Sequence, residues 1–197
     1  MQTAMANLQA IYSVSASLIA YLDRSYPQSL RNAHACTFRL LSSNELADLE
    51  EPGTTTLSLF LHRVTLNEHL RNTSQVNGTV YKNAPLSVDL HYLMTVWANS
   101  ALDEQLILAW AMRQLHQHQL LDTSFLSPEA EWEAGEVIQI IPADFSNEDI
   151  MRIWDALKPY YRLSVAYVAR VVRINPDSTK DALPVVASRF AFGEAGS

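Results

Sequence analysis

The feature that most constrains the fold is a strict alternation of apolar and polar residues that begins at Leu86. The alternating positions are Leu86, Val88, Leu90 and Tyr92 on one side and Ser87, Asp89 and His91 on the other. Because successive side chains of a strand point to opposite faces of a sheet, this pattern predicts a strand with one buried face and one polar or half-covered face. A slip of one residue would expose the apolar set, so the register is well specified.

Further strands are predicted at residues 36–41, 54–66, 136–141 and 162–174. The last of these is apolar on both faces in its first half, as expected of a central strand. Helices are predicted from the cap pattern Ser100/Asp103 to about Leu121 and from Ser146/Asp149 to Pro159. Residues 25–35 read as loop, and the polar stretch 67–85 has hairpin or loop chemistry. The predicted fold class is α+β, with a mixed, mainly antiparallel sheet flanked by about three helices.

The first of the three helices is predicted within residues 1–22, which carry no charged side chain. No basic segment precedes the apolar stretch, and polar residues interrupt it, so we expect neither a signal peptide nor direct membrane insertion. Apolar residues recur at helical spacing, which predicts a stripe that packs on the sheet. The stripe consists of Leu8, Ile11, Tyr12, Leu18, Ile19 and Leu22.

Composition and charge limit the partners of the chain. Its 197 residues are 48% hydrophobic and 18% charged, which is typical of one globular domain. A net charge of −7 and basic residues that are scattered singly (Arg24, Arg31, Arg39, Arg63, Arg71 and Arg113) argue against nucleic acid and acidic membranes. Cys36 is the single cysteine, so an intrachain disulfide is impossible. We expect a buried thiol and a reducing, cytoplasmic setting.

Catalytic and cofactor motifs are not found in the sequence. The glycines are isolated, which excludes a phosphate loop, and no nucleophile elbow is present. His116 and His118 point to different sides of a helix and do not form a chelating pair. Asp89 and His91 share a strand face, where we expect a hydrogen-bonded pair beneath a helix. We therefore predict no enzyme activity, no metal and no cofactor. Two alternatives remain open: a monomeric adaptor, and a small-ligand-binding protein or enzyme that uses the Asp89/His91 region.

Several separated blocks of the sequence resemble one known family. Residues 85–98 are similar to the N-terminal domain of the tail-terminator, or cap, proteins of contractile injection systems, which are phage-tail-like particles. Other blocks agree in the expected order: residues 63–72, 111–116, 153–157 and 161–167. The likeness covers nearly all of residues 1–174. Some relatives carry a further C-terminal domain, whose role is not carried over to this chain.

The resemblance implies a structural role with no catalytic residue. It implies a hexameric ring, a homo-oligomer at the end of the particle, that terminates the inner tube and anchors the last sheath layer. The partners would be the inner tube protein and the sheath protein, in an assembly made in the cytoplasm. We expect a tail-terminator-like domain at 1–174 and a C-terminal tail or arm at 175–197.

Two segments are predicted to form interfaces. The loop 67–85 would meet the tube or a neighbouring subunit, and the apolar tail would add a strand to an adjacent subunit or accept one from the sheath. The candidate interface residues are Asn67, His69, Arg71, Asn72, Asn77, Tyr81 and Lys82 in the loop and Val185, Val186, Phe190 and Phe192 in the tail.

Overall fold

A mixed β-sheet lies at the centre of the structure, a computed structural model that describes residues 8–47, 53–67, 75–76, 79–80, 85–157 and 160–174. The strands are β1 (Thr37–Leu41), β2 (Thr56–Leu66), β3 (Gln75–Val76), β4 (Thr79–Val80), β5 (Leu86–Trp97), β6 (Leu120–Asp122), β7 (Val137–Pro142) and β8 (Ser164–Ile174). Six of them form the sheet in the order β1-β2-β5-β8-β7-β6. β1 runs parallel to β2, and the other neighbours are antiparallel. The small strands β3 and β4 form a separate antiparallel pair, as the polar hairpin chemistry predicts.

Three longer and two short helices accompany the sheet in the described part of the chain. They are α1 (Ala10–Ser25), α2 (Gln28–Ala33), α3 (Ser43–Ala47), α4 (Ala101–Gln117) and α5 (Asn147–Ala156). The two predicted caps are confirmed, since Ser100 accepts a hydrogen bond from the Asp103 amide and Ser146 accepts one from the Asp149 amide. The predicted α+β class is therefore correct. The loop prediction for 25–35 is wrong, because α2 lies there without a side-chain cap at its N-terminus.

The alternation along β5 divides the sheet into two differently covered faces. On the first face, Leu90, Tyr92 and Met94 are completely buried beneath α1 and α4. On the second face, Leu93 and Trp97 pack with Trp154 of α5 in a smaller cluster. The prediction that β8 is central is confirmed, because it lies between β5 and β7. The burial predicted for Cys36 is also confirmed, and Trp97, Trp110 and Trp154 are buried as well.

The predicted helix α1 is present, but its buried face differs from the predicted stripe. Leu8 and Tyr12 are 84% and 59% exposed, whereas three serines, Ser13, Ser15 and Ser17, are buried. Each serine hydroxyl is hydrogen-bonded, so burial leaves no polar group unsatisfied. Their small side chains also allow the helix to approach the sheet closely. Sequence periodicity counts serine as polar and therefore places the buried face wrongly.

The serine contacts attach α1 to the sheet and to the loop before β7. Ser15 shares a hydrogen bond of 2.8 Å with the Tyr92 hydroxyl. Ser13 donates to the Ser127 carbonyl at 2.9 Å and accepts from the Trp132 indole at 2.9 Å. Ser17 accepts from the Ser127 amide at 2.7 Å. Around Tyr92 the first face of the sheet is thus covered by packing and by polar contacts together, whereas Val64, Leu66 and Leu86 toward the other end of that face are 44%, 47% and 49% exposed.

Candidate functional site

An open cleft lies on the second face of the sheet, beyond the part that α5 covers. It measures about 720 Å³ and is floored by strands β2, β5, β7 and β8. We call it the basic cleft, and its lining residues are Arg63, Thr65, Leu66, Asn67, Asp89, His91, Val137, Gln139, Arg170, Val171 and Arg173. A second cleft of about 830 Å³ continues from it toward α5 and shares Arg63, His91 and Arg170 with it.

The carboxylate of Asp89 connects β5 to Asn67 and to β8 at the floor of the basic cleft. It accepts hydrogen bonds from the Asn67 amide group at 3.0 and 3.2 Å and from the backbone N–H of Val171 at 3.0 Å. The pairing of β5 with β8 shifts register between Val88 and Leu90, and Val171 has a φ of 63°. A positive φ is strained for a β-branched residue, so the bulge needs support. Asp89 supplies that support.

The bulge at Val171 determines where two arginines point. Arg170 and Arg173 are three positions apart, so a regular strand would place them on opposite faces. The extra residue of the bulge brings both side chains to the basic cleft. Arg63 reaches the same cleft from β2, after a second bulge between Leu61 and Arg63. All three arginines are exposed, and none forms an ion pair within the part of the chain that the structure describes.

The sequence pattern does not indicate this cluster. The interpretation of the basic residues as scattered singly is wrong for Arg63, which lies in one cleft with Arg170 and Arg173. The separation along the chain concealed their proximity, because strand pairing places Arg63 opposite His91, and His91 opposite Val168 of β8. The two bulges, which the sequence pattern does not indicate, complete the arrangement.

Asp89 and His91 do not form the hydrogen-bonded pair that the sequence predicted. Asp89 is engaged by Asn67 and Val171, whereas His91 shares a hydrogen bond of 2.9 Å with the Thr65 hydroxyl. Burial lowers the pKa of His91, and the nearby Arg63 lowers it further. Both groups thus have structural partners. Among the residues described, no group of three or more histidine, cysteine, aspartate or glutamate side chains could hold a metal ion.

His62 is the inserted residue of the β2 bulge, and its ring packs edge-on against Phe145 with 5.2 Å between centroids. Its Nε2 atom is buried and has no hydrogen-bond partner in the described ranges. Burial, with a smaller contribution from His91, lowers the pKa of His62 to about 4. The ring is therefore neutral in the folded protein at neutral pH, which suits its apolar neighbour.

We expect His62 to make the protein less stable in mild acid. The unfolded chain binds a proton at His62 below pH ~6.5, whereas the folded chain does so only near pH 4. The free energy of unfolding should therefore fall between these pH values, by about 1–2 kcal/mol after allowance for partial exposure. Urea unfolding at pH 7 and pH 4.5 measures this fall. It should be smaller in His62→Phe than in wild type or in a control at the exposed His116, His116→Gln. An equal fall in all three proteins would contradict the assignment.

The candidate interface residues are distributed between described and undescribed parts of the chain. Asn67 is 7% exposed and lines the basic cleft through its contact with Asp89, and its role at an interface stays a prediction. The other loop candidates, His69, Arg71, Asn72, Asn77, Tyr81 and Lys82, lie outside the residues whose side chains are described. The tail candidates Val185, Val186, Phe190 and Phe192 lie outside them too. Within the described ranges, no helix is long and apolar enough to cross a bilayer.

Comparison with known proteins identifies the family of this chain. The sequence matches the Pvc16 N-terminal domain over residues 13–188, which is most of its length. The chain belongs to the Pvc16 N-terminal domain family. The resemblance predicted from the five sequence blocks is thereby confirmed. No protein of curated function matches the sequence.

Two solved structures show that the fold of this Pvc16 N-terminal domain is shared. One is the sheath/tube terminator of an extracellular contractile injection system, PVC, in the extended state, with a TM-score of 0.62 and 21% identity. The other is the tube-terminating cap of the anti-feeding prophage, with a TM-score of 0.59 and 15% identity. The superpositions cover 97% and 94% of this chain but 66% and 60% of those chains. The chain thus spans about two thirds or less of each neighbour's length.

Proposed function

We propose that this chain is the structural cap subunit of a contractile injection system. It forms a ring at the end of the particle, terminates the inner tube and anchors the last sheath layer. The observation that carries the proposal is family membership over residues 13–188. The likeness of fold to a sheath/tube terminator and to a tube-terminating cap supports it.

The finer parts of the proposal concern assembly. The ring is hexameric, its partners are the inner tube protein and the sheath protein, and assembly takes place in the cytoplasm. The domain at 1–174 forms the body of the ring, and the tail at 175–197 with the loop 67–85 makes contacts between subunits or with the sheath.

The role is non-enzymatic in this proposal. The alternative enzyme or small-ligand protein would need Asp89 and His91 to be available to a ligand. Instead, Asp89 accepts three hydrogen bonds from Asn67 and Val171, and His91 is hydrogen-bonded to Thr65. The cleft around them is open and floored by a sheet, unlike the deep concave pockets typical of small-ligand sites.

Deletion of the gene tests the cap role directly. Without a terminator, tubes should have an uncontrolled length distribution, and sheaths should detach or contract prematurely. Electron microscopy of particles purified from the deletion strain measures both properties, and a strain complemented with the intact gene is the control. Particles of normal length with attached sheath in the deletion strain would refute the proposal. Native mass measurement of the purified chain, alone and with its tube protein, tests the hexameric ring.

A further inference from the structure

The positive charge of the basic cleft contrasts with the rest of the molecule. The chain has a net charge of −7, yet Arg63, Arg170 and Arg173 converge on one open surface, where Asp89 is the single carboxylate among the described lining residues. That carboxylate is already occupied by hydrogen bonds from Asn67 and the Val171 amide. With respect to the described ranges, the three guanidinium groups therefore have donors available for a ligand.

The spacing of the arginines fits carboxylates along an extended peptide. Arg63 on β2 and Arg170 on β8 are separated by β5, which places their strands roughly 10 Å apart. Side chains on one side of an extended peptide recur roughly every 7 Å, so the roughly 10 Å between the strands lies between one and two repeats, a difference that the long, flexible arginine side chains can bridge. Guanidinium groups bind carboxylates through two parallel hydrogen bonds, which makes arginine well suited to such a partner.

An exposed apolar side chain on the lining favours a protein segment. Val137 lies on the same face of β7 as Gln139 and is 47% exposed. It offers contact for an apolar side chain of a peptide, whereas a phosphate backbone gains nothing from it. We propose that the basic cleft binds a short, extended, acidic segment of a partner protein, with carboxylates at alternate positions.

Neighbouring acidic residues limit the length of that segment. Glu133 and Glu136 lie beside Arg173 at one end, and Asp144 and Asp149 lie beyond Arg170 at the other. Electrostatic interactions are screened over ~8 Å at physiological ionic strength, so the arginines dominate at the centre of the cleft and the acidic residues matter most at its two ends. A longer polyanion such as nucleic acid would meet the acidic residues at both ends. The surface therefore selects a short segment.

The test uses the full chain and two fluorescent nine-residue peptides. One peptide alternates glutamate with valine, and the other has glutamine at every glutamate position. Fluorescence anisotropy should show binding of the glutamate peptide that weakens as salt is raised, and little binding of the glutamine peptide. Arg170→Glu/Arg173→Glu should weaken binding at least tenfold. The control Arg24→Glu/Arg113→Glu changes the net charge equally at exposed helix positions and should bind like wild type.

A neutral variant keeps the test usable if the charge-reversed protein unfolds. In that case Arg170→Gln/Arg173→Gln is used, and its affinity for the glutamate peptide should be at least fivefold lower than that of wild type. Three results would overturn the proposal: absence of glutamate-peptide binding by wild type at millimolar concentration, equal losses in cleft and control variants, or tighter cleft binding of a decathymidylate probe. Concentration-dependent self-association that disappears in the cleft variant would instead assign the surface to a second copy. Because the assay uses the isolated chain, its outcome does not depend on the cap role.

Discussion

Replacement of Trp154 by alanine is expected to lower the free energy of unfolding by about 4 kcal/mol, because it removes a large buried side chain and leaves a cavity. Trp154 is 3% exposed and is the main residue through which α5 contacts the sheet. Its ring packs against Trp97 and Tyr161, with centroids 5.8 and 6.2 Å away. Chemical denaturation of wild type and Trp154→Ala measures the difference. If α5 moves away from the sheet in Trp154→Ala, the second cleft, which this helix borders, should widen.

The matched control for this change is Trp154→Phe. The indole Nε1 of Trp154 is buried without a hydrogen-bond partner among the described residues, so phenylalanine removes an unsatisfied donor while it keeps most of the packing. We expect a loss of about 1 kcal/mol for this variant. Equal losses for Trp154→Ala and Trp154→Phe would contradict the packing explanation and would point to the indole N–H instead.

Replacement of Asp89 by alanine should lower the free energy of unfolding by about 3 kcal/mol, because charge-assisted hydrogen bonds to Asn67 and to the Val171 amide are lost together. The bulge at Val171 would then lack its support. Asp89→Asn keeps one acceptor and should lose about 1 kcal/mol. Denaturant unfolding at neutral pH measures both.

A second measurement separates the role of Asp89 from general destabilisation. If the carboxylate holds the bulge, Asp89→Ala should also weaken binding of the glutamate peptide, although it removes a negative charge from the cleft. Val171→Gly should reduce the backbone strain by about 1 kcal/mol and should make the protein less sensitive to loss of Asp89. If Asp89→Ala leaves the stability unchanged and tightens peptide binding, the carboxylate acts only as a local negative charge.

Much of the fold could be predicted because local patterns and tertiary structure agree in it. The alternation from Leu86 to Tyr92 gave the register of β5, and the serines at 100 and 146 marked the starts of α4 and α5. The failure at α1 has a physical cause. Ser13, Ser15 and Ser17 are buried because their partners come from Tyr92, Ser127 and Trp132, which are distant in sequence.

The candidate site could not be predicted in the same way. The strand pattern of residues 162–174 places Arg170 and Arg173 on opposite faces, and only a bulge with a positive φ at a valine brings them together. Valine is disfavoured in that conformation, so no propensity argument would place the bulge there. The bulge at Val171 is supported by Asp89, which lies on the neighbouring strand β5. A site of this kind depends on pairing between strands, which one sequence does not reveal.

The sheet order has a consequence for synthesis. β5 and β8 are neighbours at the centre of the sheet, but α4, β6, β7 and α5 all lie between them in the chain. On the ribosome, the nascent polypeptide cannot complete its core until Ile174 has emerged, and until then the edge of β5 that pairs with β8 has no partner strand. Such high contact order slows folding and exposes the intermediate to aggregation. Translation that stops before β8 would therefore yield a chain whose core lacks a central strand.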